Sequence, residues 1–141
     1  MTTIFTRIIA GEVPGTFVWR DDRCVVFMSI NPLAPGHALV VPIEEIDHWL
    51  DVPPELMQHL TLVAQKIGQA VQRTFQPEKV GLMIAGLEVR HMHLHVVPIQ
   101  SLGDLDFAKA DANASPAALD AVAERLRQAL REAGHREVAE K

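Results

Sequence analysis

A single domain of mixed helix and strand is what this chain predicts, on three observations. Short apolar runs broken by turn residues fill the segment up to Pro42, helical periodicity runs from Pro54 to Phe75, and histidine alternates with apolar residues from His91 to Val97. The first pattern is that of strands and tight turns, the second that of a helix with one buried face, and the third that of a strand with two unlike faces.

In chain order, Ile4, Phe5, Ile8 and Ile9 mark a helical turn or two closed by Gly11 and Pro14. Phe17 to Trp19 reads as a strand, Asp21 to Arg23 as a turn, and Val25 to Ser29 as the antiparallel return strand of a hairpin. Asn31 to Gly36 carries two prolines and a glycine, so it is a loop that delivers His37 to the start of a strand running to Val41 and stopped by Pro42. On that strand His37, Leu39 and Val41 share a face. Glu44 to Leu50 fits a short helix or turn. From Pro54 the residues Leu56, Leu60, Val63, Ile67, Ala70 and Val71 recur at helical spacing, with proline and Glu55 suited to a first turn, and this helix is expected to pack one face on a sheet.

Val80 to Ala85 follows as a strand whose continuous apolar run predicts burial on both faces. Gly86 to Arg90 turns the chain into the histidine strand, which ends at Pro98. The polar segment Ser101 to Asn113 lacks periodicity and is expected to cross the surface, ordered or flexible. Ser115 and Pro116 then suit the cap and first position of a last helix, whose apolar stripe of Leu119, Val122, Ala123, Leu126 and Leu130 ends near Gly134. Glu137 to Lys141 reads as a solvated tail.

Composition narrows the classes of partner. A net charge of -5 at pH 7 leaves no basic footprint for a nucleic-acid duplex, and no apolar run approaches the roughly 18 residues of a membrane span. The single cysteine, Cys24, lies in an apolar run and reads as a buried thiol without an internal partner. With no apolar leader segment at the amino terminus, a cytoplasmic location is the expectation.

The alternation His91, Met92, His93, Leu94, His95, Val96, Val97 is the stretch most suggestive of chemistry. On a strand the three imidazoles would line one face about 6.6 Å apart, while Met92, Leu94 and Val96 pack beneath. Three readings of that face compete: histidines that happen to meet solvent, a zinc site to which His37 adds a ligand, and nucleophilic attack on phosphorus by one imidazole with its neighbours at the phosphate oxygens. No His-Glu-x-x-His helix and no carboxylate except Glu88 adjoin the cluster to favour the metal.

This histidine run resembles the signature of the histidine triad family of nucleotide hydrolases and transferases. The resemblance extends over about residues 4 to 98. Ile4, Phe5, Arg7, Ile8, Ile9, Gly11, Glu12, Val13 and Pro14 look like the family's amino-terminal segment, Asp21, Asp22 and Arg23 like its first hairpin, and Pro35 to Pro42 like a second shared block. The resemblance implies an α+β fold, an antiparallel sheet of about five strands with packed helices, usually doubled into one continuous sheet by a homodimer. Residues 1–100 would form the core of the domain and 101–141 a carboxy-terminal extension with its own helix.

The substrates implied are nucleoside phosphoramidates, nucleotidyl esters or dinucleoside polyphosphates, with no metal or cofactor required. Carried over by position, His93 would be the nucleophile that forms a nucleotidyl-histidine intermediate, and His95 would contact the phosphate and assist the leaving group. His91 and His37 would orient the site and supply protons. Phe5, Ile8, Phe27 and Ile30 are the candidates to enclose the base, and Ser29 stands where the family grips the ribose hydroxyls. The turn before the triad keeps Gly86, but Leu87 replaces a glutamine and Glu88 stands at a position that often holds a hydroxyl residue near the phosphate. A nucleotide-binding or regulatory module with little turnover is the alternative, and a zinc-dependent hydrolase a further one. His48, His59 and His135 read as ordinary surface or helix-face residues, Trp19 and Trp49 as core or interface, and Arg90 as a strand-end residue with a phosphate contact as its functional reading.

Overall fold

Alternation between two faces organises the sheet of this molecule, which is described for residues 2–141 in a computed structural model. The elements run α1 (Ile4–Ile9), β1 (Phe17–Arg20), β2 (Cys24–Met28), β3 (Ala38–Pro42), α2 (Pro54–Phe75), β4 (Lys79–Met83), β5 (Leu94–Ile99) and α3 (Pro116–Glu132), with 3₁₀ turns at Trp49–Asp51, Leu102–Leu105 and Phe107–Lys109. The strands form one antiparallel sheet in the order β1-β2-β3-β5-β4. The five-stranded α+β architecture and the carboxy-terminal helix are thus those expected, as is α2 with its bounds at Pro54 and Phe75. No helix among the described residues is long and apolar enough to cross a membrane.

One face of the sheet carries Val18, Val26, Met28, Ala38, Val40, Met92, Leu94 and Val96 against Leu56, Leu60, Val63, Ile67 and Val71 of α2 and Leu126 and Leu130 of α3. Burying each large apolar side chain contributes about 1.5–3 kcal/mol, so this layer is the main source of stability. The opposite face carries Val25, Phe27, Leu39 and Val41 with Phe5 of α1 and Phe17. An irregularity in the β1–β2 pairing between Phe17 and Trp19 resets the alternation, which is why Val18 and its neighbour Trp19 both enter the larger core.

The first hairpin is tied by one carboxylate. Asp21 Oδ1 accepts from the backbone N–H groups of Arg23 and Cys24, both at 2.8 Å. Its Oδ2 accepts from Trp19 Nε1 at 2.9 Å and from His59 Nε2 at 2.8 Å, so this turn also anchors α2. Burial raises the Asp21 pKa, but these hydrogen bonds outweigh it and hold the group at about 2. His59, read as an ordinary helix residue, therefore has a defined partner. Cys24 is fully buried, and burial with the adjacent Asp21 pushes its thiol far up.

Three expectations need correction. The apolar run at residues 80–85 is not a doubly buried strand: β4 is the edge strand, with Leu82 53% exposed. β5 takes the interior place instead, because it inserts between β3 and β4 and is buried along its whole length. Pro98 does not end the histidine strand, which continues to Ile99. Beyond Val96 that strand has no β3 neighbour, so a residue without an N–H is tolerated there. Finally, residues 137–141 are not simply a solvated tail. Arg20 N–H donates to Glu137 O at 2.9 Å and Ala139 N–H to Val18 O at 3.1 Å, covering the free edge of β1, whose backbone groups would otherwise lack partners.

Candidate active site

The triad enters the sheet from outside it. His91 and His93 precede the first residue of β5, and only His95 lies in the strand, paired with Leu39 on one side and Met83 on the other. The chain bends at His91 before it enters β5, and the imidazole rings gather into a cluster. The His93 and His95 ring centres are 4.7 Å apart, and His37 and His95 are 5.2 Å apart. Gly36 delivers His37 to this cluster with φ +106, a backbone conformation suited to glycine, and a Cβ there would fall 2.8 Å from the Phe75 ring.

The four imidazoles are nearly closed to solvent: His37 is 1% exposed, His91 0%, His93 6% and His95 7%. Their partners assign the protons. Leu33 N–H donates to His37 Nδ1 at 3.0 Å, so the His37 proton sits on Nε2 and is donated to His95 Nδ1 at 2.9 Å. His95 therefore carries its own proton on Nε2. His91 Nε2–H donates to Pro42 O at 2.7 Å, leaving Nδ1 to accept from Thr3 Oγ1 at 2.9 Å. His93 Nδ1–H donates to His91 O at 2.8 Å, which leaves His93 Nε2 with a bare lone pair.

Of the eight ring nitrogens, the Nε2 atoms of His93 and His95 have no partner among the described residues and are left for a ligand. One is an acceptor and the other a donor. That pairing suits attack on an electrophile beside a developing negative charge, and it suits a shared zinc ion poorly because one of the two nitrogens carries a proton. Burial lowers all four pKa values. His37 falls to about 4 and His95 to about 3, burial acting first and neighbouring imidazoles adding to it. His91 and His93 are shifted the same way, partly offset by the carbonyls of Pro42 and His91. The rings are thus neutral at pH 7, as a nitrogen nucleophile requires.

Both ring nitrogens of His91 are committed, and it meets His93 through its backbone carbonyl. His37 meets His95 through its Nε2–H. Phe5 does reach the cluster, its ring lying 4.8 Å from His93 and 5.3 Å from Phe27, with Ile8 packed beside them. Ser29 is half-buried, and its N–H donates to His37 O at 3.1 Å. Ile30 and Leu87 are 70% and 76% exposed, and Glu88 is exposed in the bends before the triad, beyond Gly86 with φ +79. The structure thus gathers the histidines with Phe5, Phe27 and Ile8 and leaves Ile30, Leu87 and Glu88 on surrounding loops. Arg90 and Trp49 are exposed, whereas Trp19 is core.

Two participants carried no sequence signal strong enough to name them. Phe107, the one aromatic residue of the polar segment 101–113, lies edge-on to His95 with ring centres 5.0 Å apart, so that segment crosses the rim of the site. It is tied down there by Asp111 N–H, which donates to Pro32 O at 3.0 Å. Thr3 sits at the cap of α1, where its hydroxyl reads as a helix cap and not as a partner for a histidine 88 residues away.

Comparison with known proteins agrees with this geometry. The HIT domain family matches residues 10–102 of the chain. Protein hit of Bacillus subtilis (strain 168) is 32% identical over 108 residues, covering 72% of this chain and 73% of that protein. A Zn-bound histidine triad family protein from Mycobacterium smegmatis superposes with a TM-score of 0.80 at 26% identity, over 94% of this chain and 96% of its own. A HIT family hydrolase from Legionella pneumophila Philadelphia 1 gives a TM-score of 0.61 at 32% identity, over 68% of this chain and 91% of its own.

Proposed function

This chain belongs to the HIT family, and from that premise we propose that it is a nucleotide hydrolase or nucleotidyl transferase with His93 as its nucleophile. The substrate class is a nucleoside phosphoramidate, nucleotidyl ester or dinucleoside polyphosphate, attacked at the α-phosphate. One observation carries the reading: the His93 Nδ1–H bond to His91 O leaves Nε2 unprotonated, 4.7 Å ring to ring from a His95 that presents an N–H. The Legionella pneumophila relative, a HIT family hydrolase, supports the same class of chemistry.

In the first step His93 Nε2 forms a bond to phosphorus, and the bond from phosphorus to the leaving group breaks with its electron pair going to that group. His95 Nε2–H donates to the phosphate oxygens and to the departing atom. In the second step water attacks phosphorus and the bond to His93 breaks, restoring the lone pair. Over the two steps one water supplies the hydroxyl to phosphorus and, through His95, the proton to the leaving group. Phe5, Phe27 and Ile8 form the apolar wall for the base, and Ser29 faces the ribose. Phe107, on the other side of the pair, adjoins the departing group. The working assembly is a homodimer joined through β4.

The test is intact mass after mixing with adenosine phosphoramidate or a diadenosine polyphosphate. A nucleotidyl adduct is expected in the native protein and none in His93→Gln. Full turnover by that variant would remove the nucleophile assignment. Leu87, exposed where the family carries glutamine, favours a second reading as a binding module with little turnover. That reading predicts nucleotide binding with no adduct in the native protein.

A further inference from the structure

The amino-terminal turn touches the triad twice. Thr3 Oγ1 lies 2.9 Å and Thr6 Oγ1 3.5 Å from His91 Nδ1. Between them in sequence, Phe5 sets its ring against His93 at 4.8 Å, edge-on at 81°. Glu45, from the loop after β3, holds this turn in place. Its Oε1 accepts from Thr3 N–H at 2.7 Å and from Thr6 Oγ1–H at 2.7 Å. Because the Thr6 hydroxyl proton goes to Glu45, the hydrogen donated to His91 Nδ1 comes from Thr3. Thr3 Oγ1 in turn accepts from Thr6 N–H at 3.3 Å, so its hydroxyl hydrogen is the one free to point at His91.

We propose that Thr3, held by Glu45, is a positioning residue for the nucleophile: it fixes the His91 ring, and through the His91 carbonyl the proton and the aim of His93. The linkage runs residue by residue: the Glu45 carboxylate holds the Thr3 backbone N–H, the Thr3 hydroxyl donates to His91 Nδ1, and the His91 backbone carbonyl accepts from His93 Nδ1–H. His91 also spends Nε2–H on Pro42 O at 2.7 Å, so its ring is pinned at both ends. Without the Thr3 hydroxyl, a fully buried acceptor at Nδ1 is left unpaired, and an imidazole in that position relieves the cost by moving its proton or turning. Either change shifts the residue whose carbonyl selects the His93 tautomer. The same loss frees the turn that carries Phe5, so the nucleophile loses its orientation from two directions.

This inference rests on His93 being the nucleophile for its kinetic arm only. The ring ¹⁵N spectrum of the resting protein, with labelled histidine, tests the linkage directly. Thr3→Val, isosteric and half-buried, is expected to shift the His91 and His93 ring nitrogens away from the single Nε2–H and Nδ1–H tautomers. It should slow nucleotidyl-adduct formation about tenfold with the KM for nucleotide unchanged, the effect of one lost hydrogen bond on the reacting step alone. Thr3→Ser should restore both readouts to within about twofold, as one hydroxyl replaces another. Glu45 is exposed, so its variants keep the fold: Glu45→Ala is expected to shift the same nitrogens, while Glu45→Gln, which retains an acceptor, is not. Native nitrogen shifts in both Thr3→Val and Glu45→Ala would overturn the proposal. Altered shifts with no adduct in the native protein would keep the linkage and remove the function proposed for His93.

Discussion

An imidazole becomes a useful nucleophile when one nitrogen is bare and the other is occupied, and each histidine of this cluster has a separate reason for its proton's place. A backbone N–H assigns His37, the carbonyls of Pro42 and His91 assign His91 and His93, and His37 in turn assigns His95. The alternation of residues 91–95 showed that these side chains belong together. It could not show which nitrogen is free, because Leu33, Pro42 and Thr3 act through ordinary backbone or cap groups brought from distant segments. The same burial that keeps the rings neutral has a cost in acid. For His37 and His95 the folded pKa values of about 4 and about 3 lie below the unfolded value near 6.5, so the unfolded chain binds more protons between those limits. Stability is therefore complete above about pH 7 and lost as pH falls through that window, by up to ~1.4 kcal/mol per pH unit for each histidine. Urea unfolding at pH 7.5 and pH 5 should show the native protein weaker at the lower pH, with a smaller difference for His95→Gln. Equal stability at both pH values would contradict the protonation states assigned above.

At the scale of elements, periodicity located α2 and α3 closely because each helix has one buried stripe and a clear first turn: Ser115 does cap α3, accepting from Ala118 N–H at 3.1 Å. The exchange of places between β4 and β5 was not legible. A short apolar run looks alike in an edge strand and in an interior one, and the order of strands depends on where the crossover through α2 leaves room. Arg127 was illegible for a related reason, being a charged residue on the packed side of α3. It is 6% exposed, and its Nε–H donates to Phe17 O at 2.8 Å, which ties the helix to β1. Arg127→Leu is expected to cost about 1–3 kcal/mol by leaving that carbonyl unpaired. Its ion pair with exposed Glu124 should matter less, so Glu124→Ala should cost clearly less than Arg127→Leu. Urea denaturation separates the two, and equal losses would mean that the ion pair, not the carbonyl bond, secures α3.

For the molecule as a whole, the two edges of the sheet are treated differently. The backbone of residues 137–139 covers the β1 edge, whereas β4 carries Leu82 at 53% exposure on the other. Beside β4 a groove of about 440 Å³ runs against α2, lined by Ala64, Gly68, Val80, Gly81, Leu82 and Val96 among others, and Leu62 on the same helix is 52% exposed. An uncovered antiparallel edge flanked by apolar side chains is the surface on which a second copy can extend the sheet, with main-chain hydrogen bonds giving affinity and the groove accepting side chains. The site lies one strand in from this edge, since Met83 of β4 pairs with His95 of β5. Pairing through β4 would hold the strand that carries His95 in the interior of a larger sheet, so assembly and catalysis should weaken together. Light scattering at micromolar concentration is expected to give twice the chain mass for the native protein and the chain mass for Leu82→Lys, which sets a charge on the joining surface. The same variant should retain its fold, because Leu82 lies outside the core, while adduct formation at His93 slows. A monomeric native protein with full activity would leave β4 a free edge and remove the dimer from the proposed function.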